Sequence, residues 1–272
     1  PGFDFTAFYA RGGILGPLRD KNSLPMLTVQ GFGDHQVAMN LAAGVLAALF
    51  KAKMTGEGDH VVVSLFHSAI WDISLMLQAS QYGADSTQYP MERWKLGNPL
   101  VLCYETADGQ WLQIAMPQYD RHYPILMNAM GYPELADDTR YYPQKNLIPN
   151  REEFSAWITA EFKKKTCDEW CKLLDANDLP YAIAQEWDSL LEDKQAWASD
   201  CFYEMSYSNG NKRTLVRPPV LFDQMGLPPY ERGPYLGEQT KDILGELGYS
   251  GEAIEEMIKS GAAIDMDPAL RD

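Results

Sequence analysis

Residues 29–50 read VQGFGDHQVAMNLAAGVLAALF: a glycine pair, one acidic residue, Asp34, and then a long run of apolar and small residues. Val37, Ala38, Leu41, Ala42, Val45, Leu46 and Leu49 recur at helical spacing, with Ala or Gly44 in most of the positions between. The pattern predicts a helix over 35–53, apolar nearly all round and therefore buried, whose small side chains allow close packing. Asp34 stands where that helix starts. Asp is a favoured N-cap because its carboxylate accepts a backbone N–H of the first turn. The same place suits a reactive carboxylate. Gly31 and Gly33 leave room for a ligand, the free N–H groups of a helix start can stabilise a developing oxyanion, and carboxylates act as covalent nucleophiles. The local letters leave both roles open.

Downstream, TGEGD (55–59) is a turn in which Gly56 or Gly58 stops the helix. HVVVSLF (60–66) predicts a strand covered on both faces, and a second helix is predicted over 67–81. Helix, strand and helix with short joins are the grammar of a layered α/β domain, so residues 1–81 are read as part of a large α/β domain carrying Asp34. Residues 82–95 read as a linker. Leu100 to Thr106 and Trp111 to Met116 then flank Asp108-Gly109, a strong hairpin signal. Helices are predicted near 119–130, 151–164 and 167–176, with capping-box spacing at Asn150/Glu153 and Thr166/Glu169. A short strand, 181–184, and a helix near 187–198 follow. The stretch 96–190 is read as a small α+β domain. In the return segment, 191–272, a hairpin around Asn209-Gly210 (201–217) leads through Pro- and Gly-rich loops to helices at 239–247 and 251–260.

The chain of 272 residues is 46% hydrophobic, enough to bury a core, and carries a formal charge of −15. Such a surface repels phosphate backbones, so nucleic acid is not the expected partner. Of the four cysteines, 103, 167, 171 and 201, only Cys167 and Cys171 are close, with no histidine or second pair at ligand spacing. No metal site is expected, and the thiols are read as buried in a reducing cytosol. No stretch is read as reaching the ~20 apolar residues of a bilayer span, and no signal peptide is recognised. The expectation is a cytoplasmic protein without a membrane partner. The opening Pro1-Gly2-Phe3 follows no Met and reads like the middle of a domain, as in a processed, cleaved or truncated chain.

The remaining candidates are weak by themselves. His35, His60, His67 and His122 fit no Ser/His/Asp order and no G-x-S-x-G elbow, and are read as packed or surface imidazoles. The glycines of ARGGILG (10–16) lack dinucleotide spacing. Asp4, in PGFDF, reads as a turn residue, and RWKLGNP (93–99) as a flexible loop.

Taken in order, GFGD, the helix ending LAALFKAKMTGEG, HVVVSLFHSAI, PPVLFDQM and YLGEQTKDILGELGYS with EAIEEMIKSGAA resemble the class III CoA-transferases, the formyl-CoA transferase and carnitine CoA-transferase family that also holds acyl-CoA racemases. The opening PGFDFTAFYARGGILG looks most like the branch acting on 2-hydroxy acids, such as phenyllactate and 2-hydroxyisocaproate. The resemblance implies a large Rossmann-like α/β domain built from both chain ends, an inserted small α+β domain, and an interlocked homodimer. It makes Asp34 the nucleophile that attacks an acyl-CoA thioester, through aspartyl anhydride and aspartyl-CoA intermediates. CoA thioesters are then substrates, and no permanently bound cofactor is expected. Gly2, Phe3, Asp4, Phe5 and Leu65 fall where CoA contacts would lie. Gly97 and Asn98, in the loop matching the family's glycine-rich lid, fall near the acceptor acid. The chain departs from the family in lacking its N-terminal third, which holds most CoA-binding residues, and in having only Gly97 in that loop. Formate and oxalate therefore become less favoured acids, and a complementing N-terminal fragment is a conceivable partner. The rival within the family is an acyl-CoA racemase, in which Asp34 would act as acid–base partner to a His in the missing segment. A non-catalytic subunit is the rival outside it.

Overall fold

The computed structural model describes residues 2–82, 89–90, 92–207, 210–223 and 231–267. Contacts divide the chain into two units, Pro1–Ala184 and Gln185–Asp272.

The first unit opens with a short π-type helix, Asp4–Ala10, followed by α1 (Phe32–Thr55), α2 (Leu65–Asp72) and α3 (Ser74–Ala79). Glycines bound α1 at both ends. Gly31 is its N-cap at φ +79°, and Gly56 its C-cap at φ +80°, donating to the Ala52 carbonyl. Left-handed backbone of this kind is what glycine adopts without a Cβ clash. The N-cap reading of Asp34 is thereby corrected: the helix begins earlier than 35, and Asp34 lies inside its first turn. The burial expected of α1 is corrected too. Gly33 is its only buried residue, and Leu46 (65%) and Phe50 (70%) stand in solvent. The local core comprises just Phe8, Tyr9, Ile14 and Ala69. With 24 residues, α1 is also long and apolar enough to cross a membrane by length and composition alone, which corrects the reading that no stretch is. Within α1, Asn40, Lys51 and Lys53 interrupt the apolar run. The core helix of a soluble protein meets the same length-and-composition criterion.

The strand expected at 60–66 does not form. Residues 57–64 run without a ladder, and α2 already begins at Leu65, where Ser64 Oγ accepts the His67 N–H at 3.1 Å. A strand needs a neighbour to satisfy its backbone groups, and among the described residues the only sheets are β1-β2-β3 and β4-β5, further along the chain.

The rest of this unit follows the sequence closely. β1 (Cys103–Glu105), β2 (Trp111–Ile114) and β3 (Tyr181–Ile183) form an antiparallel sheet in that order, with α4 (Tyr119–Met130), α5 (Gln144–Leu147), α6 (Arg151–Phe162) and α7 (Cys167–Ala176) between β2 and β3 in the chain. Tyr104 pairs with Leu112, and Leu112 with Ile183, so Leu112 points its buried side chain into the core from the central strand. Gly109, at φ +78°, turns the Asp108-Gly109 hairpin. The core is broad and aromatic. Tyr104 stacks on Phe162 at 4.6 Å, and the buried Trp170 donates from Nε1 to the Phe162 carbonyl at 2.8 Å. Thr166 and Glu169 form the expected capping box. Asn150 and Glu153 do not. Asn150 ends the 3₁₀ turn Ile148–Asn150 at φ −110°, ψ 7°, outside cap geometry, and its amide donates to the Arg140 carbonyl at 2.9 Å.

In the second unit the helix expected at 187–198 is two: α8 (Trp187–Leu191) and α9 (Lys194–Ala198), the latter capped by Asp193. A hairpin pairs β4 (Phe202–Ser206) with β5 (Lys212–Val216), from Phe202 opposite Val216 to Ser206 opposite Lys212. Gly210 turns it at φ +82°, whereas Asn209 lies outside the described residues. Last come α10 (Thr240–Glu246) and α11 (Gly251–Lys259), near the expected positions. Of the phrase PPVLFDQM, Gln224 and Met225 lie outside the described residues.

Candidate functional site

The first turn of α1 is held from outside the helix. Asp4, which the sequence reads as a turn residue, is 6% exposed and opens the π-type helix. Its Oδ1 accepts the Gly33 N–H at 3.1 Å, so one orphan donor of the helix start is satisfied by a carboxylate 29 positions earlier. Asp4 Oδ2 is buried with no hydrogen-bond partner among the described residues. Gly33 is glycine for that reason: a Cβ there would lie 2.3 Å from the Phe8 ring and 2.4 Å from Asp4 Oδ1. It makes room for this clasp and not for a ligand. Gly31 differs, because a Cβ there would meet nothing within 4 Å.

Phe8, Tyr9 and Phe32 pack around the clasp, with ring centroids 5.5 Å (Phe8 to Tyr9) and 6.4 Å (Phe8 to Phe32) apart. The Tyr9 hydroxyl donates to the Val29 carbonyl at 3.3 Å, fixing the approach to Gly31. Burial, and secondly the Asp4 charge, push the Tyr9 phenol up from its ordinary pKa, so it stays a neutral donor. Asp34 follows at the third helical position, with its carboxylate exposed. Negative charge at a helix start is favoured by the macrodipole. The result is an accessible carboxylate whose backbone is immobilised by its neighbours.

The other expected residues divide into two groups. Leu65 packs against the Phe8–Tyr9–Ile14–Ala69 core, whose Phe8 also borders the Asp4–Gly33 clasp. Phe3 (with its carbonyl accepting the Ala7 N–H at 2.7 Å) and Phe5 are exposed beside it, as is Gly2. Gly97 and Asn98 are engaged elsewhere. Asn98 Oδ1 accepts the Leu100 N–H at 2.9 Å, its Nδ2 donates to the Met116 carbonyl at 3.0 Å, and the Gly97 carbonyl accepts Gln144 Nε2 at 3.0 Å. Beside α1 and α2, Asn40, Val62, Val63, Ser64, His67 and Trp71 line a cavity of about 250 Å³. Within it, Asn40 Nδ2 donates to Ser68 Oγ at 2.9 Å.

Among the described residues no three of His, Cys, Asp and Glu converge as metal ligands. The cysteines are less uniform than expected. Cys167 is buried, and burial with the neighbouring Cys171 pushes its thiol up to about 11, but Cys103 and Cys171 are half-buried and Cys201 is exposed. Sequence reasoning missed the clasp because its two halves are far apart in the chain and no local pattern couples them.

A profile described as CoA-transferase family III matches residues 1–240. The chain belongs to CoA-transferase family III. It is 46% identical over 260 residues to the cinnamoyl-CoA:phenyllactate CoA-transferase of Clostridium sporogenes, covering 95% of this chain and 63% of that protein. To the (R)-2-hydroxy-4-methylpentanoate CoA-transferase of Clostridioides difficile it is 38% identical over 254 residues, covering 93% and 63%. Among solved structures it superposes on a CAIB/BAIF family protein from Brucella suis with a TM-score of 0.73 at 21% identity, over 90% of this chain and 63% of the other. The fold of family III is thus shared, and the chain spans less than two thirds of the length of these relatives.

Proposed function

We propose that this chain carries the nucleophile of an acyl-CoA:carboxylate CoA-transferase acting on 2-hydroxy, aryl or branched acids. The observation that carries the reading is Asp34: an exposed carboxylate on a clasped first helical turn, with the Phe8–Tyr9–Phe32 cluster behind it. The names of the two relatives above support the substrate class. In the proposed reaction an Asp34 oxygen attacks the thioester carbonyl, the C–S bond breaks, and CoA leaves as the thiolate. The thiolate then attacks the aspartyl carbonyl of the mixed anhydride, releasing the donor acid and leaving an aspartyl-CoA thioester. The acceptor carboxylate displaces CoA to give a second anhydride. Attack of the thiolate on the acceptor's acyl carbon yields the new acyl-CoA and restores Asp34. At the helix start the Phe32, Gly33 and His35 N–H groups are already bonded to Val29, Asp4 and Gly31, so the positive end of the helix dipole, more than a set of free donors, supports stabilisation of the tetrahedral oxyanions. Gly2, Phe3, Phe5 and Leu65 are proposed on the CoA side. The interlocked homodimer, the complementing N-terminal segment and a cytoplasmic location remain part of the same proposal.

Trapping tests it. Full-length active protein incubated with acyl-CoA and quenched with hydroxylamine should carry a hydroxamate on the peptide containing Asp34, and Asp34→Ala should lose transfer while retaining its fold. Active protein without modification at Asp34 would refute the nucleophile. Deuterium exchange at the α-carbon in the absence of any acceptor acid would identify a racemase instead.

A further inference from the structure

A second concavity lies well within the aromatic-cored part of the first unit, between the turn at Arg93–Lys95, β1, β2 and α6. Its volume is about 200 Å³, and Arg93, Trp94, Cys103, Trp111, Ser155 and Lys163 contribute to its walls. Two interior polar atoms are unsatisfied. Arg93 Nε and Ser155 Oγ are both shielded from solvent and have no hydrogen-bond partner among the described residues. Ser155 as a whole is 1% exposed. Arg93 is tied down only loosely at its other end, where Nη2 reaches the Cys103 carbonyl at 3.4 Å. Buried donors without partners are uncommon because they forfeit their hydration, so two in one cavity wall call for an acceptor.

Charge and shape narrow what that acceptor is. Lys163 is already neutralised by Glu105 at 2.8 Å, which leaves Arg93 as the excess positive charge. The Cys103 thiol is pushed up by burial and stays uncharged. Trp94 and Trp111 are 50% and 43% exposed and offer indole surface to a flat apolar group. The volume falls below the ~300–1,000 Å³ of drug-sized ligand sites, so the occupant is small. We propose that this cavity binds a small aromatic monocarboxylate, its carboxylate on Arg93 Nε and Ser155 Oγ and its ring against Trp94 or Trp111. The site does not depend on the role of Asp34.

The test is calorimetric and tryptophan-fluorescence titration of full-length protein in an Asp34→Asn background, which removes covalent chemistry. The probes are phenyllactate, phenylpropanol without the carboxylate, and acetate without the ring. Saturable binding of phenyllactate alone is expected, with a fluorescence change that Trp94→Phe or Trp111→Phe diminishes. Arg93→Gln should weaken binding about tenfold, as loss of a charge-assisted hydrogen bond does. Should that variant not fold, Ser155→Ala, which removes one oxygen, should weaken it about threefold. Unchanged affinity in the folded variant, or equal binding of phenylpropanol, would overturn the proposal. Hydroxamate trapping at Asp34 reads a different site, so failure here leaves the catalytic reading intact and the reverse is equally true.

Discussion

The first unit contains two stretches that handle apolar surface in opposite ways. From residue 96 to 184, nineteen buried residues form one core around a three-stranded sheet. From residue 2 to 82, the corresponding core has four, and the longest helix among the described residues leaves most of its side chains outside. The difference is one of layering. An apolar helix is stable in water when another layer covers it, and the 96–184 stretch supplies its own second layer in α4, α6 and α7. The 2–82 stretch has α2 and the π-type helix against α1, and an unladdered valine segment where a sheet was expected.

Mutations can break or sharpen this contrast. Trp170→Ala removes a buried indole and leaves the Phe162 carbonyl without its donor. It should cost about 3–5 kcal/mol in urea unfolding of the 272-residue chain. A cost below about 1 kcal/mol would mean that the 96–184 core is looser than described. Gly33→Ala probes a tight contact of the other stretch, the clasp at the start of α1. Its Cβ would collide with Phe8 and Asp4, so a loss of about 1–3 kcal/mol is expected, and a crystal structure should show the first turn of α1 displaced from Asp4. Thr166→Ala removes half of a capping box and should lower stability by about 1 kcal/mol. Asn150→Ala should leave the N-terminus of α6 intact, because that side chain bonds backwards to Arg140. Leu46→Ala, at a site 65% exposed, should change the stability of this chain by less than about 0.5 kcal/mol. The same change costing about 2–5 kcal/mol in a longer form of the protein would show that a further layer covers α1 there.

The legibility of the sequence follows the same division. Where the partners of a segment lie within a few dozen residues, pattern sufficed: the Asp108-Gly109 turn, the Thr166/Glu169 box and the bounds of α4 and α7 were all readable. Where the partner is distant, it did not. HVVVSLF carries the composition of a buried strand, but composition does not supply a neighbour, and here it forms none. Asp34 shows both sides. Its place at a helix start was legible, while the glycine that caps the helix and the aspartate that anchors it were not. The cavity behind Arg93 was invisible because its walls come from a turn, two strands and a helix spread over seventy positions.

The hydrogen bond from Gly33 to Asp4 bears on where this protein can be cut. Removing residues 2–10 would take away both the Asp4 carboxylate and the Phe8 ring against which the helix start rests. For truncation, limited proteolysis or circular permutation, the opening phrase and the first turn of α1 are therefore one indivisible piece. A shortened protein that loses the phrase would keep Asp34 in its sequence and lose the seat that holds it.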